Sequence, residues 1–228
     1  MAGFFKFTPL QWVVHVGAWI PLGYLVWAFY TDRLTVNPIQ SATQHTGIFA
    51  LSLLVLSLAC TPINTIFGFH QALKVRRALG LYAFIYAAIH FTIFIWLDYG
   101  LDWQLLRVDV FNKPYILVGL SALIILLLLA ITSFKFWMKY LGKNWARLHR
   151  LVYLVAGLVI MHFAWAVKGN LLQLKGNISQ VFLYGLVVAI LLILRIPIIR
   201  HTLSMARFKI RKSNTSMMPP PPEEKREI

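Results

Sequence analysis

Six stretches of this 228-residue chain run without a single Asp, Glu, Lys or Arg: residues 10–30, 46–63, 78–97, 114–134, 151–167 and 178–194. Each is 17 to 21 residues long, and a helix rising 1.5 Å per residue needs about 20 to cross the ~30 Å of bilayer hydrocarbon. Lipid offers backbone amides no water, so such segments must be helical. They predict an all-α integral membrane protein, a bundle of six transmembrane helices. A soluble core is no alternative: 59% of the residues are hydrophobic and only 13% charged, more apolar surface than a domain of this length can hide within itself.

An even number of spans returns both termini to one side of the membrane. Seventeen of the 22 Lys and Arg residues fall on that side: Lys6; Lys74, Arg76 and Arg77; Lys135, Lys139, Lys143, Arg147 and Arg150; and eight more from Arg195 onward. The opposite side holds Arg33, Arg107, Lys113, Lys168 and Lys175, with all four aspartates, Asp32, Asp98, Asp102 and Asp109. Cytoplasmic loops are the ones enriched in Lys and Arg, so both termini are expected in the cytoplasm.

The net charge of +15 does not point to nucleic acid, because the basic residues lie between and after the apolar runs, where they anchor a membrane protein against lipid. The one cysteine, Cys60, sits inside an apolar run and makes neither an internal disulfide nor a cysteine metal site. The first run lacks a small-residue cleavage site and is expected to stay as a helix. Residues 1–201 read as one six-span domain. Residues 202–228 are basic and then proline-rich, a composition that builds no core, and read as a flexible cytoplasmic tail against anionic headgroups. No internal repeat is legible. Neither a glycine-rich nucleotide fingerprint nor a soluble domain to carry one is present, so any soluble redox partner must be another chain.

An ionisable residue within a membrane span is costly and usually faces the bundle interior. His90 lies in the third run and His162 in the fifth, 12 and 11 residues past the start of runs that cross in the same direction. Two histidines at one depth on parallel helices can supply both axial nitrogens of a b-type haem. The bland alternative is a helix-to-helix hydrogen bond, and the matched depth favours ligation for the pair. His149, at the cytoplasmic entrance to the fifth run, precedes His162 by 13 residues and offers a second haem level about 20 Å away along the helix. The same count back from His90 reaches Arg77, with Arg76 beside it. Either arginine suits positive-inside anchoring or a haem propionate, and the spacing does not choose between them. A 13-residue step turns through about 220°, so two levels on one straight helix need a kink, tilt or ligands from elsewhere. His15 and His45 read as interfacial or packing residues, His70 and His201 as solvated, and Trp12, Trp27, Trp96 and Trp103 as an aromatic belt. A transporter or proton channel, with His90 and His162 relaying protons, is the rival reading, weakened by the lack of acids or other bases in the middle of any run and of a symmetrically repeated broken helix. A cofactor-free scaffold is a further one.

These residues resemble the MsrQ (YedZ) family, haem-binding membrane subunits within the ferric-reductase-like transmembrane group. The resemblance is carried by Thr46 and Gly47, Thr61 and Pro62, the segment 76–81 opening on Arg76 and Arg77, and the segment 86–91 around His90. It continues through Lys113, Pro114 and Tyr115, Thr132 and Ser133, the segment 141–153 with Trp145 and His149, and His162. It implies His90, His149 and His162 as ligands of one or two b-type haems, with Arg76 and Arg77 on the inner side. It also implies electron transfer from the quinone pool or a cytoplasmic flavin reductase to a periplasmic molybdopterin enzyme that reduces methionine sulfoxide in oxidised proteins. A relative of the same fold that reduces ferric iron or serves another acceptor is the near alternative. FMN is also associated with the family; no residue here marks a flavin site.

Overall fold

The structure is a computed structural model that describes residues 7–167, 178–203 and 205. Most of the segment 202–228, read above as a tail, lies outside the described residues, as do Lys168 and Lys175.

Every regular element among the described residues is helical. The helices are α1 (Pro9–Gly17), α2 (Ile20–Tyr30), α3 (Pro38–Phe67), α4 (Gln71–Ile93), α5 (Trp103–Asn112), α6 (Pro114–Ile131), α7 (Lys135–Leu141), α8 (Lys143–Leu148), α9 (Leu151–Ala166) and α10 (Ile178–Ile193). A short α11 (Pro197–Leu203) follows. Proline opens α1, α3 and α6, the position where its fixed φ suits a helix and its missing amide would be unbonded anyway. Thr8 and Gln11 form a reciprocal capping box on α1, and Asn37 accepts from the Gln40 amide on α3. Gly68, at φ 72°, ends α3 in the left-handed conformation that lacks a penalty only for glycine.

Five helical units are long and apolar enough to cross a membrane: Pro9–Tyr30, Pro38–Phe67, Gln71–Asp98, Pro114–Ile131 and Lys143–Ala166. The sixth run forms α10, which qualifies only together with α11 across a 78° bend. The spans therefore number five to six. α1 and α2 make the first as a broken pair. Pro21 lacks an amide there, and the Tyr86 hydroxyl of α4 enters the gap, donating to the Ala18 carbonyl at 2.6 Å and accepting from the Leu22 amide at 3.1 Å. A π-helical turn, Phe94–Asp98, extends α4.

The two most extensive helix contacts are α3 along α4 and α6 along α9. Between the pairs lies an apolar core of Leu54, Ala83, Ala122, Leu126 and Val155. Small residues at the crossing let the backbones approach closely, the usual way membrane helices associate. A second cluster, Leu58, Ala156, Val188 and Leu191, seats α10 against α3 and α9. Pro62 stands inside α3 and cannot offer the amide that the Leu58 carbonyl would receive in a regular helix. Arg195, just past α10, supplies it: Nη2 donates to the Leu58 oxygen at 2.6 Å, Nη1 donates to Tyr153 Oη at 2.8 Å, and the guanidinium lies over the Tyr153 ring. Trp12, Trp27, Trp96 and Trp103 are all exposed on the outside of the bundle, as belt residues are.

Beyond the π-helical turn, Tyr99 and Lys113 both donate to one Asp109 oxygen and clamp α5 onto the start of α6. These two hydrogen bonds hold the Asp109 carboxyl below the usual carboxylate range.

Candidate functional site

α4 and α9 bring His90 and His162 together, with ring centroids 6.2 Å apart and ring planes at 90°. Each ring is fixed by the same device. His90 Nδ1 is 2.8 Å from the Thr43 carbonyl of α3, and His162 Nδ1 is 2.8 Å from the Tyr115 carbonyl of α6; both pairs are 47 residues apart. A carbonyl only accepts, so each Nδ1 carries the proton and each Nε2 keeps its lone pair. The helix-to-helix hydrogen bond set against ligation above is therefore present, and it occupies only one nitrogen of each ring.

The spacing suits a shared metal. Two metal–imidazole bonds of ~2 Å would hold two rings at about the separation seen here. Neutral imidazoles with Nδ1–H given to a backbone carbonyl are what metal-ligating histidines present. His90 and His162 would be the residues to hold a haem through Nε2, and the haem would supply a one-electron redox centre there. Among the described residues no group of three or more His, Cys, Asp or Glu is gathered for another kind of metal centre.

The surroundings repeat in register. His162 follows His90 by 72 residues, as Tyr115 follows Thr43 and Gly119 follows Gly47. The apolar core obeys the same step: Leu126 follows Leu54, and Val155 follows Ala83. The helix pair α3–α4 and the pair α6–α9 are thus two copies of one arrangement. The repeat is not legible in the sequence as a whole, because lipid-facing positions accept any apolar residue and bury the signal. Gly47 and Gly119, each 43 residues before its histidine, were the trace available to find it.

His149 is held differently. Its Nε2 is 3.2 Å from Thr132 Oγ1, whose own proton goes to the Leu128 carbonyl at 2.7 Å, so here Nε2 donates. Trp145 covers the ring with centroids 4.2 Å apart and anchors itself by Nε1 on the Thr132 carbonyl. A turn at residues 149–150 separates α8, ending at Leu148, from α9, starting at Leu151, within the one membrane-length unit Lys143–Ala166. The Arg76 and Arg77 guanidinium groups lie near enough to act electrostatically on His149. Arg76 donates to Thr61 Oγ1 at 3.3 Å, and the exposed Arg77 points to Met138 Sδ at 3.7 Å. In the 72-residue register, His149 corresponds to Arg77 and not to Arg76.

The other histidines stay outside the site. His15 Nδ1 meets Tyr82 Oη at 2.9 Å, His45 Nδ1 bonds the Ser41 carbonyl of its own helix, and His70 and His201 are exposed.

Comparison with known proteins gives a coherent answer. The family model described as ferric reductase like transmembrane component matches residues 46–160. A protein-methionine-sulfoxide reductase heme-binding subunit MsrQ from Herminiimonas arsenicoxydans is 39% identical over 192 residues, 84% of this chain and 86% of that protein. The proteins of the same name from Xanthomonas campestris pv. campestris (strain 8004) and Polaromonas naphthalenivorans (strain CJ2) are 38% and 37% identical. They cover 78% and 80% of this chain, and 82% and 85% of their own lengths.

Proposed function

The chain belongs to the family of protein-methionine-sulfoxide reductase heme-binding subunits MsrQ, and from that premise we propose that it holds b-type haem between His90 and His162 and carries electrons across the bacterial inner membrane. The observation that carries the reading is the pair of imidazoles 6.2 Å apart, each with Nδ1 committed to a carbonyl and Nε2 left to bind. Bound haem supplies a one-electron redox centre whose potential follows its ligands and burial.

The protein's own part is to orient and insulate. Thr43 and Tyr115 fix the tautomer of the ligating rings, and their carbonyls raise ligand basicity. The core of Leu54, Ala83, Ala122, Leu126 and Val155 lies two helical turns from both histidines, toward the His149 end, and has no group that binds or passes a proton. His149 forms the second level. Ligation there uses Nδ1, or exchanges the Thr132 contact of Nε2, and Arg77 is the register-matched partner on α4 with Arg76 beside it. Lys and Arg crowd the His149 end, so this end faces the cytoplasm and the His90–His162 end the periplasm. The quinone pool or a cytoplasmic flavin reductase is the donor, and a periplasmic molybdopterin-dependent methionine-sulfoxide reductase the acceptor.

A reduced-minus-oxidised absorption spectrum of detergent-purified protein from haem-replete cells tests the reading. A b-type difference spectrum is expected, with loss of one component in His90→Ala and His162→Ala while both variants still insert. A colourless wild-type preparation ends the proposal. If deletion of the periplasmic reductase leaves haem reoxidation unchanged, the acceptor assignment fails.

A further inference from the structure

We propose that Gly47 and Gly119 are positioning residues that set the angle between the two histidine planes, by leaving the carbonyls of Thr43 and Tyr115 open for the rings to dock on. The proposal rests on the haem reading above and assigns roles to two residues with no reactive atoms. Along a helix, each Cα–Cβ bond tilts toward the N-terminus, so a side chain at position i+4 leans over the carbonyl of position i. Gly47 is four residues after Thr43 and Gly119 four after Tyr115. Both glycines therefore stand where a side chain would cover the carbonyl that orients a histidine.

The space is filled by the rings themselves. A Cβ on Gly119 would lie 2.7 Å from His162 Nδ1 and 2.8 Å from its Cε1; on Gly47 the same atoms of His90 would be at 3.1 and 3.2 Å. Carbon atoms do not approach a ring at the first distance, so alanine at 119 must turn or lift His162 off the Tyr115 carbonyl. Alanine at 47 needs His90 to give by only a few tenths of an ångström. The two copies of the site thus differ in tightness, and the His162 half is the less tolerant. Two measurable properties depend on this docking. Perpendicular ligand planes, as seen at 90°, leave the two dπ orbitals of a low-spin ferric iron nearly degenerate, which gives the largest gmax that a bis-imidazole centre shows. The Nδ1–H···O=C bond raises imidazole basicity, which favours the ferric state.

The test is low-temperature EPR and redox titration of the purified haem-loaded wild type, Gly47→Ala, Gly119→Ala and Gly157→Ala. Gly157 lies on α9 with His162, and a Cβ there meets nothing within 4 Å. In Gly119→Ala, gmax is expected to fall and the midpoint potential to rise. Gly47→Ala should move the same way by less, and Gly157→Ala should match the wild type. A Gly119→Ala protein with wild-type gmax and potential overturns the proposal, as does an equal shift in Gly157→Ala. If Gly119→Ala binds no haem while Gly157→Ala does, Gly47→Ala carries the test through the same two readouts. A wild type without haem overturns the functional reading instead, so the two failures stay distinct.

Discussion

The Arg195 contact predicts a coupling between two residues far apart in sequence. Leu58 offers a carbonyl that Pro62 cannot serve, and Arg195 Nη2 serves it at 2.6 Å. Arg195→Met keeps the aliphatic stem and removes the donors. A hydrogen bond from a charged donor contributes about 1.5–3 kcal/mol in soluble proteins, whereas interhelical hydrogen bonds in membranes average about 0.6 and reach about 1.7 kcal/mol. For a charged donor at the rim of a span, a cost of about 1–2 kcal/mol follows. Pro62→Ala restores an amide four residues beyond Leu58, so the helix serves its own carbonyl. In that background Arg195→Met should cost about 1 kcal/mol less, the remainder reflecting the Tyr153 contacts. The assay is SDS-induced unfolding of the wild type, both single variants and the double variant, followed by tryptophan fluorescence at matched haem loading. Additivity within about 0.5 kcal/mol would refute the reasoning, since Arg195 would then be stabilising something other than the carbonyl freed by Pro62.

Tyr86→Phe removes the hydroxyl that bridges Ala18 and Leu22 and should lower stability by about 1 kcal/mol; an unchanged melting temperature would show the broken first span holds without it. Thr132→Val frees His149 Nε2 and should alter only the haem component that His149→Ala abolishes; a change confined to the His90–His162 component would remove His149 from the second level. The Asp109 clamp has a definite pH sign. Its carboxyl sits below the ordinary value of 3.8 in the folded protein because Lys113 and Tyr99 donate to it, so its stabilisation is complete above that value and is lost as pH falls through the lower folded one. Relative to an unstructured peptide digested in parallel, pepsin nicking of the α5 region should therefore increase as pH drops below about 4, and the same ratio should stay flat in Asp109→Asn; a wild type with no such rise would count against the clamp.

What the sequence reveals here follows the strength of each physical constraint. Hydrocarbon permits no charge, so all six apolar runs emerge as helical, though the first is broken into α1 and α2, the sixth needs α11 across a bend to reach span length, and the 30-residue α3 extends beyond its run. The pairing of His90 with His162 is legible for the same reason, since depth along a helix is a simple count. Orientation about the helix axis is not. Nothing in the composition says that Thr43 and Tyr115 offer carbonyls, or that two glycines lie under the rings, because those contacts belong to helix faces that apolar patterning in lipid leaves unmarked. His149 shows the other limit: the group that fixes its ring is Thr132 at the end of α6, on another helix that no count along its own helix reaches.

The apolar core between the two histidine levels has a bioenergetic consequence. Leu54, Ala83, Ala122, Leu126 and Val155 themselves carry no hydrogen-bonding side chain for a proton to follow, while electrons tunnel through packed hydrocarbon. On the function proposed above, an electron would therefore cross this layer without a compensating proton, and transfer would be electrogenic. With a cytoplasmic donor, it would leave a compartment that is negative inside and move with the field, gaining about 2.3 kcal/mol per 100 mV over a full crossing. Each electron so delivered to an outer partner would draw down the membrane potential, tying the rate of delivery to how well the cell is energised.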